Sequence, residues 1–412
     1  MKLTGEETAI LNGQRGAGAA KAMGILQALG RIANATEMVP VGSVQVSGVS
    51  YKNIGKYGLA FLEEWAAMGS RAVVPAFMNP GGADRQRWAQ LGIPAEFVER
   101  QQRVQAALEA LGIAPLLSCT PYHAGCTPSC GEHVAWAESS AVIYANSVLG
   151  ARTNREGGPS AIAAALAGRT PKHTLHTDEG RLPTRFVTVR CGVAHMADAG
   201  ALGYLIGKAL ARDRNGGIPF IRGVTPPDGP LRTSWLKSLG AAMAASGSVG
   251  LYHLEGVTPE AKDHGADLVR GLTQETAIES LREGYAALGT GRGPVELVTM
   301  GCPHASLEDL ARVVELLDGR RAKIPFWVSA AQPVREQAEA QGLLAKLSAC
   351  GVELVADTCM VVAPLKDMGL RTLATNAGKA AFYLPSHHGI GVYYGTTEQC
   401  VEAAVTGRWN EA

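Results

Sequence analysis

The chain has 412 residues, of which 46% are hydrophobic and 18% are charged, and its formal net charge is +1. This content is enough to build a sizeable buried core, and the length is typical of two or three domains or lobes. A net charge near zero provides no field to hold nucleic acid or an anionic membrane surface. We therefore expect a small molecule, and neither nucleic acid nor membrane, as the ligand.

The N-terminal segment has one early lysine, scattered acidic residues and no uninterrupted apolar stretch of the kind that a secretory signal needs. A run of eighteen apolar residues occurs nowhere, which argues against a membrane span. We expect a cytoplasmic protein, in which the eight cysteines do not form a disulfide framework. Some of them are expected to be buried thiols and others to be metal or cluster ligands.

The first third of the chain alternates between predicted helices and strands. Thr4 and Glu7 have the spacing of a capping box, so a helix is predicted over LTGEETAILN. Further on, MVPVGSVQVSGVSY predicts a strand that runs into the turn SGVSYKNIG, where backbone amides can face a ligand. Asp84 is predicted to cap another helix. The other elements predicted here are the helices AAKAMGILQALGRIANA and YGLAFLEEWAAMGS and the strand RAVVPAF.

The last third alternates more regularly. Three predicted strands, VELVTMG, KIPFWVSAA and VELVADTC, each precede a predicted helix; Ser306 is the expected cap of the first helix, and MVVAPLKDMG is the third. This alternation favours an α/β fold. Cys302 and Cys359 follow two of these strands, and Cys119 follows the strand-like segment APLLS. Since ligands bind at the carboxyl ends of strands in open parallel sheets, the three thiols share the setting of a ligand site.

Three convergent thiolates could hold an iron-sulfur cluster and leave one iron open as a Lewis acid toward a substrate oxygen. The wide spacing differs from the compact runs of ferredoxins, so buried, incidental cysteines are the alternative interpretation. A second alternative is a local zinc or cluster site of Cys119, Cys126 and Cys130 with His123 or His133. The remaining cysteines, which lie in apolar or helical contexts, are predicted to be packing residues: Cys191, Cys350 and Cys400.

Five long segments resemble the signature segments of the aconitase X family, specifically its large, catalytic subunit. They are CTPYHAG, GEHVAWAESSAVIYANSVLGARTNREGGPSA, MGCPHASLEDL, ADTCMVV and TNAGKAAFYLP. The resemblance spans essentially the whole chain. It implies an aconitase-like core of α/β/α lobes with largely parallel sheets around one cleft, with approximate lobes at 1–115, 116–290 and 291–412. The chain contains no recognisable swivelling domain, so the resemblance also implies a separate small swivelling subunit.

The resemblance implies a hydro-lyase that expels a hydroxide β to a carboxylate. Two activities are known in the family: dehydration of cis-3-hydroxy-L-proline, which gives pyrroline-2-carboxylate, and dehydration of (R)-5-phosphomevalonate, which gives trans-anhydromevalonate 5-phosphate. We expect the first, because the composition rich in alanine, glycine and arginine is more typical of a bacterial than of a thermophilic archaeal enzyme. The phosphomevalonate reaction is the alternative, and a non-catalytic scaffold subunit with structural thiols is an alternative of another class.

Carried over residue by residue, the resemblance places the cluster ligands at Cys119, Cys302 and Cys359. A 4Fe-4S cluster is expected, with 2Fe-2S or 3Fe-4S as alternatives. Lys379 or Glu138 is the expected catalytic base, and partial burial of Lys379 is expected to lower its pKa toward useful basicity. The implied substrate contacts are Gly48, Val49, Ser50, Asn79, Pro80, Glu138, Ser139 and Lys379.

Other polar residues in these segments have two interpretations. Relatives commonly have asparagine where this chain has Cys126, which places an extra thiol near the expected cluster. His133 and His304 are either hydrogen-bond donors to cluster or substrate, or structural histidines. Phosphate demands extra positive charges or amide donors, but the cations of these segments, which either substrate could use, are Lys52, Lys379 and the Arg152 to Arg155 pair. The loop residues Arg152, Asn154 and Arg155 either contact substrate or form a loop network, and a surface or lid loop is expected at His387 and His388.

Overall fold

The computed structural model describes residues 1–213 and 217–410 of the chain. In this part of the chain, helices and strands alternate. The helices are α1 (Gly5–Leu11), α2 (Ala17–Ile32), α3 (Tyr51–Ala67), α4 (Ala95–Ala110), α5 (Ser139–Ser147), α6 (Gly158–Ala167), α7 (Met196–Leu210), α8 (Arg232–Gly247), α9 (Pro259–Leu268), α10 (Arg282–Leu288), α11 (Leu307–Leu317), α12 (Gln332–Ala340), α13 (Leu343–Ala349), α14 (Gly378–His388) and α15 (Thr397–Thr406). The strands are β1 (Met38–Pro40), β2 (Val44–Val46), β3 (Ala76–Met78), β4 (Ala135–Trp136), β5 (Arg169–Pro171), β6 (Arg185–Val189), β7 (Pro219–Arg222), β8 (His253–Leu254), β9 (Glu275–Ile278), β10 (Leu297–Ala305), β11 (Phe326–Ala330), β12 (Val352–Val355), β13 (Thr372–Thr375) and β14 (Gly391–Tyr394).

Three parallel sheets organise the molecule. Their strand orders are β3-β2-β4, β8-β7-β6-β9 and β12-β11-β10-β13-β14, and every pairing within them is parallel. Strands β1 and β5 form a separate antiparallel pair. The predicted α/β class with largely parallel sheets is confirmed. In such sheets the carboxyl ends of neighbouring strands lie at one edge, where ligands bind.

Each of the three sheets is formed by a separate stretch of the chain. The three-stranded sheet uses residues 44–136, the four-stranded sheet 185–278 and the five-stranded sheet 297–394. The lobe boundaries proposed from the sequence stay predictions, and residues 214–216, 411 and 412 of the last two lobes lie outside the described residues. Among the helices described, none is long and apolar enough to cross a membrane.

Local side-chain chemistry sets the start of several helices. Thr4 Oγ1 accepts the N–H of Glu7 at 3.2 Å, and the Glu7 carboxylate accepts the N–H of Thr4 at 2.8 Å, so the predicted capping box of α1 is confirmed. Ser306 caps α11 through a second capping box with Asp309. These caps satisfy main-chain N–H groups that would otherwise lack partners, which is why the helices begin there.

Two predicted helices are wrong. The chain after Asp84 forms turns, and α4 begins only at Ala95. One Asp84 oxygen accepts the N–H groups of the next turn, as a cap would, but the other accepts the N–H of Ala356 at 3.0 Å. The segment MVVAPLKDMG is also a series of turns rather than a helix. Pro364 restricts the residue before it to extended backbone, which opposes a helix there.

Glycines allow three helices to approach closely. A Cβ atom added at Gly203 of α7 would lie 2.3 Å from the carbonyl oxygen of Leu239 in α8. A Cβ atom at Gly378, the first residue of α14, would lie 3.1 Å from the Cα of Gly200 in α7. The backbones of α7, α8 and α14 are therefore in direct contact. This packing positions the first turn of α14, which carries Lys379.

Candidate active site

Three cysteines from distant parts of the chain meet at one place. Cys119 follows an extended segment beside β3, Cys302 lies in β10, and Cys359 lies in the loop after β12. Their exposed fractions are 5%, 7% and 7%. The thiols of Cys302 and Cys359 hydrogen-bond each other, and Cys119 lies close enough to both to influence their ionisation. The fold thus brings together the three residues that the sequence singled out.

Main-chain N–H groups surround two of these sulfur atoms. The N–H of His304 donates to Cys119 Sγ at 3.2 Å, and the N–H groups of Val361 and Val362 donate to Cys359. A hydrogen bond from the neighbouring thiol, together with these amides, outweighs burial and lowers the pKa of the Cys359 thiol. Hydrogen bonds to sulfur of this kind also surround the thiolate ligands of iron-sulfur clusters and tune their potential.

The donor set fits an iron-sulfur cluster better than a single metal ion. Within residues 1–213 and 217–410, no three His, Cys, Asp or Glu side chains are placed to hold one ion. A cluster occupies more space than an ion, so the thiolates around it stand farther apart. Three buried thiols that face one another, with N–H donors beside them, have the chemistry that a cluster requires. If a cluster is bound, Cys119, Cys302 and Cys359 would hold it.

The local zinc alternative finds no geometric support in the described residues. Cys126 is half-buried and packs against the small apolar cluster around Trp136. Cys130 is exposed, and its sulfur lies beside Gly150, where an added Cβ would be 2.7 Å away. His133 stacks on His176 with ring centroids 5.1 Å apart. These side chains therefore do not converge on Cys119.

Glu138 and Lys379 form a buried ion pair next to the thiols. Glu138 is the N-cap of α5, where its carboxylate accepts the N–H of Ala141 at 2.8 Å and the hydroxyl of Ser140 at 2.5 Å. Ser139 Oγ donates to the same carboxylate at 3.3 Å. Glu138 is 6% exposed and Lys379 is 8% exposed. The two predicted catalytic residues therefore contact each other in a site that largely excludes water.

The predicted pKa shift of Lys379 is wrong in direction. Burial alone would lower it, but the Glu138 carboxylate, followed by the thiols of Cys302 and Cys119, outweighs burial and raises the pKa of Lys379. Burial alone would raise the pKa of Glu138, but Lys379 and the hydrogen bonds to the carboxylate hold that pKa below its usual range. At neutral pH the pair is therefore an ammonium and a carboxylate.

The predicted substrate turn lies against the loop that carries Cys359. Helix α3 begins at Tyr51, so the turn ends earlier than SGVSYKNIG, and Gly48 adopts φ 77°, a value that favours glycine. Ser50 Oγ donates to the carbonyl of Val362 at 3.2 Å. Gln101 Nε2 donates to Val49 O at 2.8 Å and supports the turn from behind. Ser50 thus links the turn to the loop that carries Cys359, three residues beyond that cysteine.

Asn79 and Pro80 follow β3 and lie at the same edge of the three-stranded sheet. The N–H of Asn79 donates to Val46 O at 2.8 Å, and the N–H of Gly81 donates to Asp357 O at 2.8 Å. Within the described part of the chain, the buried Oδ1 of Asn79 has no hydrogen-bond partner. A buried acceptor without a partner is costly unless a ligand or water satisfies it. Asn79 is therefore suited to contact a ligand donor.

The loop that carries Arg152, Asn154 and Arg155 is held by hydrogen bonds to the segment 173–178. Arg152 Nη2 pairs with Asp178, and Asn154 binds the main chain at His173 and Leu175 through hydrogen bonds of 3.1 Å each. Arg155 is exposed. The loop-network interpretation is therefore confirmed for Arg152 and Asn154, and the His133 stack on His176 is likewise structural.

His304 contacts the thiol site through groups that sequence reasoning did not single out. Its Nε2–H donates to Thr358 O at 3.1 Å, and its Nδ1 lies 3.3 Å from Ser118 Oγ. Its carbonyl accepts from the buried Lys237 at 2.8 Å, and Lys237 pairs with Asp309 at 3.3 Å. A lone lysine within the apolar helix LKSLGAAMAASG was the available signal for this pair.

The two histidines near the C-terminus are not in a surface or lid loop. His387 and His388 form the last turn of α14, and His388 is 3% exposed. The segment LPSHHGIG contains a proline, but Pro385 lies inside the helix. His388 instead packs toward the loop beyond Cys359, where its Nε2 lies 2.9 Å from Val361 O.

A cavity of about 560 Å³ lies on another side of Cys302. Its lining comes from the first turns of α8 and α11 and from the carboxyl ends of β10 and β13, and it includes Lys237, Asp309 and Asn376. It meets the thiol site only at Cys302, so the Glu138 and Lys379 pair does not line it.

Comparisons with known proteins agree with this architecture. Models described as the first, second and third domains of aconitase X match residues 1–179, 183–288 and 295–406. The phosphomevalonate dehydratase large subunit of Methanocaldococcus jannaschii is 40% identical over 98% of this chain and 100% of its own length. The cis-3-hydroxy-L-proline dehydratase of Pseudomonas aeruginosa is 36% identical over 99% of this chain and 70% of its own length. A crystal structure described as the holo-form of Thermococcus kodakaraensis aconitase X superposes with a TM-score of 0.90 at 39% identity, covering 98% of this chain and 100% of that one.

Three observations lead to one conclusion: family models span nearly the whole chain, relatives are named as dehydratases, and the fold is shared. The chain belongs to the aconitase X family, in its large-subunit group, and is a hydro-lyase.

Proposed function

We propose that this chain is the large subunit of a (R)-5-phosphomevalonate dehydratase that forms trans-anhydromevalonate 5-phosphate. The observation that carries the proposal is the relation to the M. jannaschii protein, which is more similar than the hydroxyproline enzyme and is matched along its whole length. This reverses the substrate preference that composition suggested. Amino-acid composition reflects the kind of organism that a protein comes from, whereas sequence identity along the full chain also compares the residues of the site.

The name "large subunit" in these relatives supports a small-subunit partner for this chain. We propose that the partner is the small swivelling subunit implied by the sequence segments. It would close over the edge of the sheets where the Gly48 turn, the thiols and the Glu138 and Lys379 pair meet. Closure would exclude the remaining water from a bound substrate, which strengthens its interactions with the Glu138 and Lys379 pair.

Cys119, Cys302 and Cys359 would hold an iron-sulfur cluster, which when bound supplies a Lewis acid for the departing hydroxyl group. The chain's own residues supply the rest of the chemistry. The Lys379 ammonium would hold the substrate carboxylate and stabilise the negative charge that develops on it as the α-proton leaves. Ser139 and the amides of the Gly48 turn are suited to orient the substrate.

Glu138 is the group proposed to accept the α-proton. Burial is the largest influence on its carboxylate and favours the protonated form, and Lys379 is the main influence that opposes it. When a substrate carboxylate accepts hydrogen bonds from Lys379, the lysine lowers the pKa of Glu138 less strongly. Its pKa then rises, which makes the carboxylate a stronger base at the moment when substrate is bound.

A second candidate is dehydration of cis-3-hydroxy-L-proline. The P. aeruginosa enzyme of that name aligns with 99% of this chain, and both substrates lose a hydroxyl group β to a carboxylate. The same cluster ligands and the same ion pair would therefore serve either reaction. The two substrates differ in the phosphate group, which only one of them carries.

The test is a comparison of both substrates on one preparation. The chain is co-expressed with the small subunit, purified without oxygen, and assayed for each dehydration product. Turnover of (R)-5-phosphomevalonate at least tenfold above that of cis-3-hydroxy-L-proline, measured as kcat/KM, would support the proposal. The opposite preference would replace it with the second candidate, and failure to convert either substrate in an iron-loaded complex would overturn both.

A further inference from the structure

Lys52 is a half-buried cation beside the predicted substrate turn. It follows Ser50 by two residues, on the first turn of α3. Within residues 1–213 and 217–410, its ammonium forms a hydrogen bond with His388 but no ion pair with a carboxylate. Lys379, by contrast, is already paired with Glu138. Lys52 is therefore a cation near the site whose charge the chain does not neutralise.

The contact with His388 holds Lys52 toward the thiol loop. Lys52 Nζ lies 2.8 Å from His388 Nδ1 and 2.6 Å from His388 Nε2, and His388 Nε2 lies 2.9 Å from Val361 O. Burial lowers the pKa of His388, so the ring is neutral at neutral pH and does not repel the ammonium. Within the described residues, His388 is the side chain that Lys52 Nζ contacts through hydrogen bonds.

Lys52 and Ser50 approach the same short segment from neighbouring positions. Ser50 Oγ donates to Val362 O at 3.2 Å, and His388 connects Lys52 to Val361 O. These two carbonyl groups lie two and three residues after Cys359. Lys52 is thus separated from the thiol site by the width of one loop.

The charges around Lys52 favour an anion. Asp367 and Lys366 are the charged groups that act on Lys52, the carboxylate more strongly than the ammonium, so the three groups together carry one net positive charge. A phosphate monoester would compensate this positive charge, whereas the single carboxylate of a hydroxyproline would be held at Lys379. Lysine binds phosphate well as a compact point charge.

We propose that Lys52 binds the phosphate group of the substrate and thereby selects a phosphorylated over a non-phosphorylated hydroxy acid. This inference rests on the proposed phosphomevalonate activity. In that substrate two methylene groups and an ester oxygen separate the carbon that loses its hydroxyl group from the phosphorus. The substrate can therefore place its hydroxyl group at the thiols and its phosphate at a neighbouring cation.

The experiment uses the complete complex and two substrates, (R)-5-phosphomevalonate and (R)-mevalonate. For Lys52→Gln we expect kcat/KM on phosphomevalonate to fall roughly 10- to 100-fold, the range expected for losing a charge-assisted hydrogen bond. On mevalonate it should stay within about twofold of the wild type. Lys52→Arg should restore most of the activity on phosphomevalonate. Lys56→Gln is the matched control, since Lys56 is exposed on the same helix and lies over the Tyr57 ring.

The outcomes separate this inference from the proposed function. If the wild type converts phosphomevalonate and Lys52→Gln does so equally well, or if Lys52→Gln lowers activity on both substrates alike, the phosphate role of Lys52 is wrong and the proposed function stands. If the wild type converts cis-3-hydroxy-L-proline instead, both are wrong. Melting temperatures of Lys52→Gln and Lys56→Gln check folding. If Lys52→Gln has a lowered melting temperature, the ratio of kcat/KM for phosphomevalonate to kcat/KM for mevalonate is measured for Lys52→Arg instead. A ratio like that of the wild type supports the phosphate role of Lys52, and a lost preference for phosphomevalonate overturns it.

Discussion

Glu138 and Lys379 are 241 residues apart in the chain, yet their side chains form a buried ion pair beside three thiols. Each residue is held by the start of a helix, Glu138 as the cap of α5 and Lys379 in the first turn of α14. The ion pair outweighs the effect of burial on both pKa values: it lowers the pKa of Glu138 and raises the pKa of Lys379. It leaves a carboxylate and an ammonium in a site from which water is largely excluded.

Breaking this ion pair should destabilise the protein strongly. Glu138→Gln leaves the Lys379 ammonium buried without a counter-charge, and we expect the free energy of unfolding to fall by about 3 kcal/mol. The double variant Glu138→Gln with Lys379→Met should recover most of that loss, because neither charge is left alone. Urea denaturation measures both.

The exposed pair of Glu63 and Arg103 is the control for this experiment, since its side chains are 41% and 56% exposed. Glu63→Gln should change the free energy of unfolding by less than about 1 kcal/mol. Equal losses for Glu63→Gln and Glu138→Gln would contradict the buried, charged state of the Glu138 pair. Dehydration activity should be lost in Glu138→Gln and in the double variant Glu138→Gln with Lys379→Met, whatever their free energies of unfolding.

Replacement of any one of the three central thiols should remove the cluster. After anaerobic purification, Cys119→Ala, Cys302→Ala and Cys359→Ala should each lose iron and visible absorption relative to the wild type. Cys400→Ala is the matched control, because Cys400 is also fully buried but lies in α15 within the core. Cys126→Ser should likewise keep its iron. A Cys302→Ala protein that retained both iron and activity would disprove the ligand assignment.

The reaction should weaken at alkaline pH if Lys52 binds phosphate. Burial is the main cause that lowers the pKa of Lys52 to about 8; Asp367 opposes this shift and Lys366 adds to it. The protonated form binds phosphate, so kcat/KM for phosphomevalonate should be steady below about pH 7 and fall as pH rises through about 8. His388 also faces Lys52, but burial lowers the pKa of its ring, which stays neutral across this range.

Lys52→Arg distinguishes this titration from others in the same pH range. The guanidinium group stays charged, so the decline near pH 8 should disappear from the pH profile of kcat/KM. Because the phosphate itself is a dianion above about pH 6, its own ionisation does not produce an alkaline decline. An unchanged profile in Lys52→Arg would assign the decline to another group.

The close packing of α7 against α8 should not tolerate a methyl group. In Gly203→Ala the new Cβ would lie 2.3 Å from Leu239 O, so the helices must separate. We expect a loss of about 1 to 3 kcal/mol in the free energy of unfolding. Gly265→Ala in α9 is the control, since an added Cβ there has nothing within 4 Å, and it should be neutral or slightly stabilising. Thermal and urea unfolding of the two variants would compare them.

Much of the local structure followed from the sequence alone. The capping boxes at Thr4 and Ser306 predicted where α1 and α11 begin, and the alternation of strands and helices predicted parallel sheets. The setting of Cys119, Cys302 and Cys359 after strand-like segments indicated that they could share one edge. These features depend on residues a few positions apart, or on the rule that parallel strands place their carboxyl ends together.

Contacts between distant segments were decided only by the tertiary structure. The ionisation of Lys379 depends on Glu138 and on thiols from two other segments, so its burial alone predicted the wrong direction. Asp84 caps a turn rather than a helix because its second oxygen is taken by Ala356. His388 is buried because α14 continues through Pro385 and packs on the loop beyond Cys359. The sequence by itself determined the helices and strands and the residue types of the site. Tertiary packing decided which side chains contact each other and hence which of them are charged. The reason is that electrostatic interactions in a buried site depend on which groups lie within a few ångströms.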